Sequence, residues 1–466
     1  MPDHAATLLE ESRRGDGSQE SGPASPIDEF AFGSTSPRHG TNRSRPLTTN
    51  APSTSQLSRK GLARLHDSME AHVAAGRLPG LLTLVACGDD VHIDTIGTPS
   101  FDDDASLARD AIFRIASLTK PITAVATMSL VEEGLLRLEE PIHELVPELA
   151  DRRVLRAIDA ELDDTVPANR PITLEDLLSY RFGFGSVMAP PGSYPIQRAE
   201  ADLGLQSIGG PPWPPVAHDV DGWIGALGSL PLMYQPGEQW LYNTSGQVLG
   251  VLLARACGQD LASVLRERIF EPLGMVDTGF TVPSSKVSRL TTFYRPNPGT
   301  DELSVLDDAG HSWWSTPPSF PDGSGGLVST LDDYWSFVSM LLPRGTPQGA
   351  GSAKRGAGQG ERILSLATVA LLTRDRLTPS QRDAAALFLG EHGGWSLGLE
   401  VPATGSLDQP LPCGIGWDGG TGTTWRSNPR SGVTGILFTQ REATSPAPPP
   451  LVEDFWAGVN AATATP

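Results

Sequence analysis

Strand-like segments stand at both ends of this 466-residue chain, with helical segments between them. That order points to one sheet built from the two ends and a helical insertion, an α+β arrangement. Near the N-terminal end, Gly80 to Ile96 reads as two short strands around the turn residues Gly88, Asp89 and Asp90, and Ala111 to Ile115 as another. At the other end, Gly414 to Trp417, Thr423 to Asn428 and Gly432 to Gln440 read as antiparallel strands joined by Gly-rich turns. Helices are expected over Leu62 to Ala75, over Val452 to about Ala462, and over Leu118 to Leu135, where only Glu132 and Glu133 offer a solvent face. Thr173-Leu-Glu-Asp176 and Thr330-Leu-Asp-Asp333 resemble capping boxes that open helices through Leu178 and Leu342. Val248 to Ala256 and Leu261 to Phe270 form a further pair, split by Gly258 and the N-cap candidate Asp260.

Three stretches fall outside this pattern. Residues 1–58 are rich in Ser, Pro, Thr, Gly and charge and cannot bury enough apolar surface to offset backbone entropy, so a disordered tail is expected there. Ser207 to Ala217, with its run of prolines, reads as loop, and residues 345–360 as a flexible surface insertion. The remainder, residues 59–466, is expected to be a single domain whose mainly helical region spans about residues 123–268.

Charge and cysteine usage exclude several function classes. A net charge of -20 opposes a grip on nucleic acid, which needs a basic surface. Cys87, Cys257 and Cys413 are far apart and lack CxxC spacing, so neither a disulfide framework nor a zinc knuckle is indicated and a reducing compartment fits best. The first residues hold no run of signal-peptide length, and no apolar run reaches the span of a bilayer; a soluble, cytoplasmic protein is the expectation. The nine histidines show no HExxH spacing, and there is no GxSxG elbow or Walker A loop. No metal or organic cofactor is implied.

Candidate chemistry begins at Ser117-Leu-Thr-Lys120, where a strand ends and an apolar helix begins. Residues i and i+3 share a helix face, so the serine hydroxyl and the lysine amine can meet, and the hydroxyl lies near unpaired backbone N–H groups. A lysine on an apolar helix is desolvated, which lowers its pKa toward that of a usable base. The plainer alternative is an N-cap serine with a solvated lysine. Tyr242, in the loop before the helix at Val248, can hold a nucleophile and relay a proton, or can simply pack beside Trp240. The segment Trp417 to Thr423 is Gly-rich where a strand is expected; the Gly420 N–H can serve as an oxyanion donor, the alternative being a hairpin turn.

Taken in order, these three segments resemble the serine beta-lactamase and penicillin-binding-protein superfamily, in the class C-like branch that includes esterases and D-amino-acid peptidases. The framing segments 113–142, 171–180, 236–258, 271–280 and 326–337 are similar to that family's recurrent ones, and the resemblance runs from about Leu57 to the C-terminus. It implies a beta-lactamase/transpeptidase-like fold, an antiparallel sheet with flanking helices plus a mainly helical region. It also implies Ser117 as nucleophile of an acyl-enzyme, Lys120 as its general base, Tyr242 as a second acid/base, and an oxyanion hole from the N–H groups of Ser117 and Gly420. Thr244 stands where the family's Tyr-x-Asn motif has its Asn, with Asn243 one place early.

Two departures bear on substrate. Trp417-Asp418-Gly419 replaces the Lys-Thr-Gly of beta-lactamases, so the cation that meets an antibiotic carboxylate is gone; Arg426 is either a replacement charge or a solvated side chain. Tyr180-Arg-Phe-Gly183 stands where relatives have His-Thr-Ser-Gly. The expected function is hydrolysis of a small-molecule carboxylic ester or amide. The alternatives are a beta-lactamase or D-aminopeptidase/carboxypeptidase, and a catalytically silent ligand-binding member. The sequence leaves the oligomeric state open.

Overall fold

The seven strands of the main sheet are all antiparallel and come from the two ends of the chain. They are β1 (Gly80–Cys87), β2 (Asp90–Gly97), β3 (Gly393–Trp395), β4 (Glu400–Pro402), β5 (Ile415–Gly419), β6 (Thr423–Asn428) and β7 (Val433–Thr439), in the spatial order β2-β1-β7-β6-β5-β4-β3. The computed structural model describes residues 56–205, 216, 218–300, 302–342, 362–403 and 407–463. Residues 1–55 of the expected tail, the insertion at 345–360 and most of Ser207–Ala217 lie outside the described residues. Leu57 and Ser58, placed in the tail by the sequence reading, belong to the fold: Leu57 is buried, and Ser58 Oγ accepts the Gly61 N–H as N-cap of the first helix.

β1 is buried at every residue because both sheet faces are covered. Leu81, Val85 and Cys87 face a layer made by α1 (Arg59–Ala74) and α8 (Pro450–Thr463), while Leu82, Leu84 and Ala86 face the main core. Its side chains therefore alternate between two apolar layers rather than between core and water, which is why its sequence does not alternate in polarity. Register ties the two ends together, with Leu81 opposite Thr439 and Cys87 opposite Val433.

On the main-core face lies α2 (Thr119–Glu132), buried from Thr119 to Leu130, with exposure beginning only at its last residues, as its composition requires. It ends at Gly134, whose φ of +75° no β-carbon residue adopts cheaply. Around it pack α3 (Leu174–Leu178), α4 (Thr244–Cys257), α5 (Leu261–Leu265) and α6 (Leu331–Leu341). α7 (Pro379–Leu389) precedes β3.

The local expectations need four adjustments. Thr173 forms a full capping box with Asp176, but Thr330 forms only half of one: its Oγ1 accepts the Asp333 N–H, while the Asp333 carboxylate accepts from Asp277 N and Thr278 Oγ1 instead. The strand read over Ala111–Ile115 is confined to Phe113–Arg114, paired with Val328–Ser329. The helix read over Leu261–Phe270 is α-helical only to Leu265 and continues as a π-turn over Arg266–Phe270. β3 and β4, three residues each, went unread because segments that short carry no period. Among the described residues no single helix is long and apolar enough to cross a membrane.

Candidate active site

The chain leaves strand Phe113–Arg114 and enters α2 through a 3₁₀ turn, Ala116–Leu118, which carries Ser117. Ala116 has φ +42°. One turn on, Lys120 is 2 % exposed, so the solvated alternative does not apply. Its Nζ donates to Ser117 Oγ at 3.0 Å, Asn243 Oδ1 at 2.8 Å and the Ser324 carbonyl oxygen at 2.7 Å. Burial pushes the amine down to about 7, with the negative charge of Asp322 opposing that shift.

Three acceptors account for all three hydrogens of an ammonium. When the amine is neutral, one nitrogen lone pair must face a donor. Asn243 Oδ1 and the Ser324 carbonyl can only accept, whereas the Ser117 hydroxyl can donate. The geometry therefore directs the lysine lone pair at the serine proton.

Tyr242 approaches from the loop before α4. Its O–H donates to Ser117 Oγ at 2.9 Å, and its oxygen accepts the indole N–H of Trp417 at 3.1 Å. Lys120 Nζ lies 4.5 Å from the centroid of its ring. Burial pushes the phenol up to about 12, so it is neutral and a proton donor near pH 7. When Lys120 is neutral, the hydrogen bonds run in one direction, from Trp417 through Tyr242 and Ser117 to the amine.

Between Tyr242 and α4 the backbone makes a tight γ-turn: Asn243 has φ +77° and ψ -64°, and the Thr244 N–H bonds the Tyr242 carbonyl at 3.2 Å. This turn swings the Asn243 side chain onto Lys120. Thr244, placed by sequence at the Asn position of the motif, is instead the first residue of α4, and Asn243 makes the lysine contact. Among the described residues, three of the four non-glycine residues with positive φ, namely Ala116, Tyr180 and Asn243, meet here. Such conformations cost about 1–3 kcal/mol each and persist only where the surrounding packing holds them.

β5 forms the opposite wall. A β-carbon on Gly419 would come within 2.5 Å of the Ile115 carbonyl oxygen, so only glycine lets this strand lie against the segment that carries Ser117. Thr421 Oγ1 donates to the Arg114 carbonyl at 2.5 Å and Thr423 Oγ1 to that of Ile115 at 3.2 Å, fixing the turn that holds Gly420. Asp418 points outward and is paired at 2.9 Å with Arg426. Arg426 itself is buried, with Glu400 at 2.6 Å as its second partner. It is neither a solvated side chain nor a spare cation, because two carboxylates hold its charge.

The run Tyr180-Arg-Phe-Gly183 supplies an aromatic rather than a polar neighbour. The Tyr180 ring meets Trp395 edge-on at 4.8 Å and lies 6.5 Å from Tyr242. Phe388 of α7 stacks on Tyr242 at 4.6 Å, and Trp395 meets Trp417 at 4.7 Å. Sequence reading missed Phe388, Trp395, Ser324 and Asp322 as neighbours of the site. Of the segments that carry them, only Gly323-Ser-Gly-Gly326 has a local sequence signal, its glycines, and it leads into the strand at Val328.

Comparison with known proteins finds relatives of this chain. The family model described as Beta-lactamase matches residues 65–451. Protein Rv1367c of Mycobacterium tuberculosis is 38 % identical over 377 residues, covering 78 % of this chain and 86 % of that protein. Esterase EstB of Burkholderia gladioli is 26 % identical over 399 residues, covering 81 % of this chain and 90 % of that protein. Among solved structures, EstCE1, described as a hydrolase with promiscuous acyltransferase activity, superposes with a TM-score of 0.68 at 21 % identity, over 86 % of this chain and 98 % of that one. That last likeness is one of fold.

Proposed function

The chain belongs to the beta-lactamase family and is a serine hydrolase, and from that premise we propose that it hydrolyses neutral carboxylic esters through an acyl-enzyme on Ser117. The observation that carries this reading is the convergence of Lys120 Nζ at 3.0 Å and the Tyr242 hydroxyl at 2.9 Å on Ser117 Oγ, with the Trp417 indole N–H on the tyrosine oxygen. Neutral Lys120 takes the Ser117 proton as Oγ attacks the ester carbonyl, and the backbone N–H groups of Ser117 and Gly420 receive the oxyanion. Tyr242 gives its proton to the departing alkoxide; its phenolate is then stabilised by the Trp417 N–H and the neighbouring Lys120 ammonium. In deacylation a water loses a proton to that phenolate and attacks the acyl group. Ser117 Oγ leaves with the proton held by Lys120, which restores every group to its starting state.

Substrate preference follows from charge and surface. Trp417 stands where beta-lactamases carry a lysine, and Arg426 is held by Glu400 and Asp418, which disfavours recognition of a substrate carboxylate. The aromatic side chains around Tyr242 suit an apolar leaving group. Phe388 is half-buried and lies against the proposed acid, so its wall faces the alcohol portion. Phe388→Ala is expected to lower kcat/KM about 3- to 10-fold for phenyl esters, the size of a lost ring contact, and to change methyl esters of the same acid little. Equal losses in the two series would place Phe388 elsewhere.

Trp417→Phe keeps the ring but removes the donor to Tyr242. A roughly 10-fold lower kcat is expected, the effect of one hydrogen bond of about 1.4 kcal/mol. An unchanged kcat would show that the indole N–H is only packing.

The reading as a whole is tested by p-nitrophenyl butyrate and nitrocefin turnover together with fluorophosphonate labelling. Ester turnover well above that of nitrocefin, and an adduct mapped to the peptide containing Ser117, are the expected results. Nitrocefin as the better substrate would favour a lactamase. No turnover and no adduct in folded protein would favour the ligand-binding alternative.

A further inference from the structure

Asp322 is 1 % exposed, yet it takes part in no salt bridge among the described residues. Asp307 and Asp176, buried to a similar degree, are paired with Arg114 and Arg170. A buried carboxylate without a paired cation is costly, and its presence calls for a role. Oδ1 accepts from Ser324 N and Ser324 Oγ, both at 2.6 Å, and Oδ2 accepts Gln247 Nε2 at 3.1 Å. The carboxylate thus winds the Gly-rich loop into a tight turn. That turn aims two carbonyls at α2: Gly323 O accepts Thr123 Oγ1 at 2.7 Å, and Ser324 O accepts Lys120 Nζ at 2.7 Å. A β-carbon at Gly323 would sit 2.6 Å from the Gly246 carbonyl, so the loop is pressed against α4 with no room to turn otherwise.

We propose that Asp322 is a positioning residue and a buried counter-charge for Lys120: it presents the Ser324 carbonyl to the amine, and its negative charge sets the pH at which the lysine becomes a base. This role rests on the Ser117–Lys120 reading of the site. The groups facing Lys120 from each packed element are few. Ser117 comes from the 3₁₀ turn just before α2, Tyr242 and Asn243 from the loop before α4, and Asp322 and Ser324 from the loop before strand Val328–Ser329. Across the cleft, the charge of Asp418 on β5 is engaged by Arg426. Asp322 is the carboxylate whose field acts on the amine, and it acts against desolvation.

The test is the pH profile of kcat/KM for p-nitrophenyl butyrate in wild type, Asp322→Asn and Ser324→Ala, with Tm measured alongside. Wild type should rise through an acid limb near pH 7. Asp322→Asn removes the charge while keeping size, so its limb should move down by about 1 pH unit, the shift of one nearby opposite charge. Ser324→Ala retains the carboxylate and loses one of its hydrogen bonds; its plateau should fall with the limb in place. A merely structural aspartate would lower the plateau of Asp322→Asn and leave its limb unmoved, which overturns the proposal. If Asp322→Asn does not fold, Ser324→Ala still decides, because a displaced limb with the charge present is incompatible with Asp322 as its source. Failure of the esterase reading is distinct, since wild type itself would then show no turnover.

Discussion

Ser117→Ala is expected to lower ester turnover by at least about 10⁴-fold, the scale of losing the nucleophile of a unit that works together. The hydroxyl stands at the junction of the whole chain of hydrogen bonds, accepting from Tyr242 at 2.9 Å and facing Lys120 at 3.0 Å. Among the described residues no other hydroxyl bridges these two groups. Ser117 is only half-buried, and Lys120 keeps Asn243 and Ser324 as acceptors without it, so Tm should stay within about 2 °C. Fluorophosphonate labelling should vanish with turnover. A variant retaining more than about a tenth of wild-type kcat would remove Ser117 from the mechanism.

Lys120→Met should cost about 10²- to 10⁴-fold in kcat/KM, the range of a positioned base. Methionine is the better choice than alanine because Lys120 is nearly inaccessible and its stem fills the core; truncation would add a cavity to the chemical effect. The buried side-chain carbonyl of Asn243 and the backbone carbonyl of Ser324 each lose the hydrogen bond from Lys120, and a destabilisation of about 1–3 kcal/mol is expected. The more telling readout is pH. In wild type the proposed base is the neutral amine, present above about 7, so kcat/KM is expected to rise between pH 6 and 8. With no amine to titrate, that limb should disappear from the residual activity of Lys120→Met. Survival of the same limb would assign it to another group.

What the sequence disclosed was governed by distance along the chain. Ser117 and Lys120 lie one helical turn apart, so their meeting could be read from spacing alone. The Asn243 contact could not, because it depends on a γ-turn that departs from the motif's usual spacing by one residue. Arg426 was misjudged because its partners, Glu400 and Asp418, are neighbours only across strands, and β4 is too short to announce itself. Asp322 and Phe388 reach the site from segments more than 75 residues beyond Tyr242, with no local signal beyond the glycines at 323, 325 and 326. The two-ended sheet, by contrast, was legible because turn-rich, β-branched segments sit together at each end.

That sheet also sets an order of events during synthesis. β1 needs β7 at its inner edge, and Leu81 can meet Thr439 only after the more than 350 residues between them have been made. Until then an eight-residue strand that is wholly buried in the finished protein has an open, apolar edge. Closure of so long a loop is also slow compared with helix formation. The serine and lysine can meet early in translation, but the glycine proposed to receive the oxyanion, Gly420, is made about 300 residues later. A nascent chain therefore carries the proposed nucleophile long before it can use it.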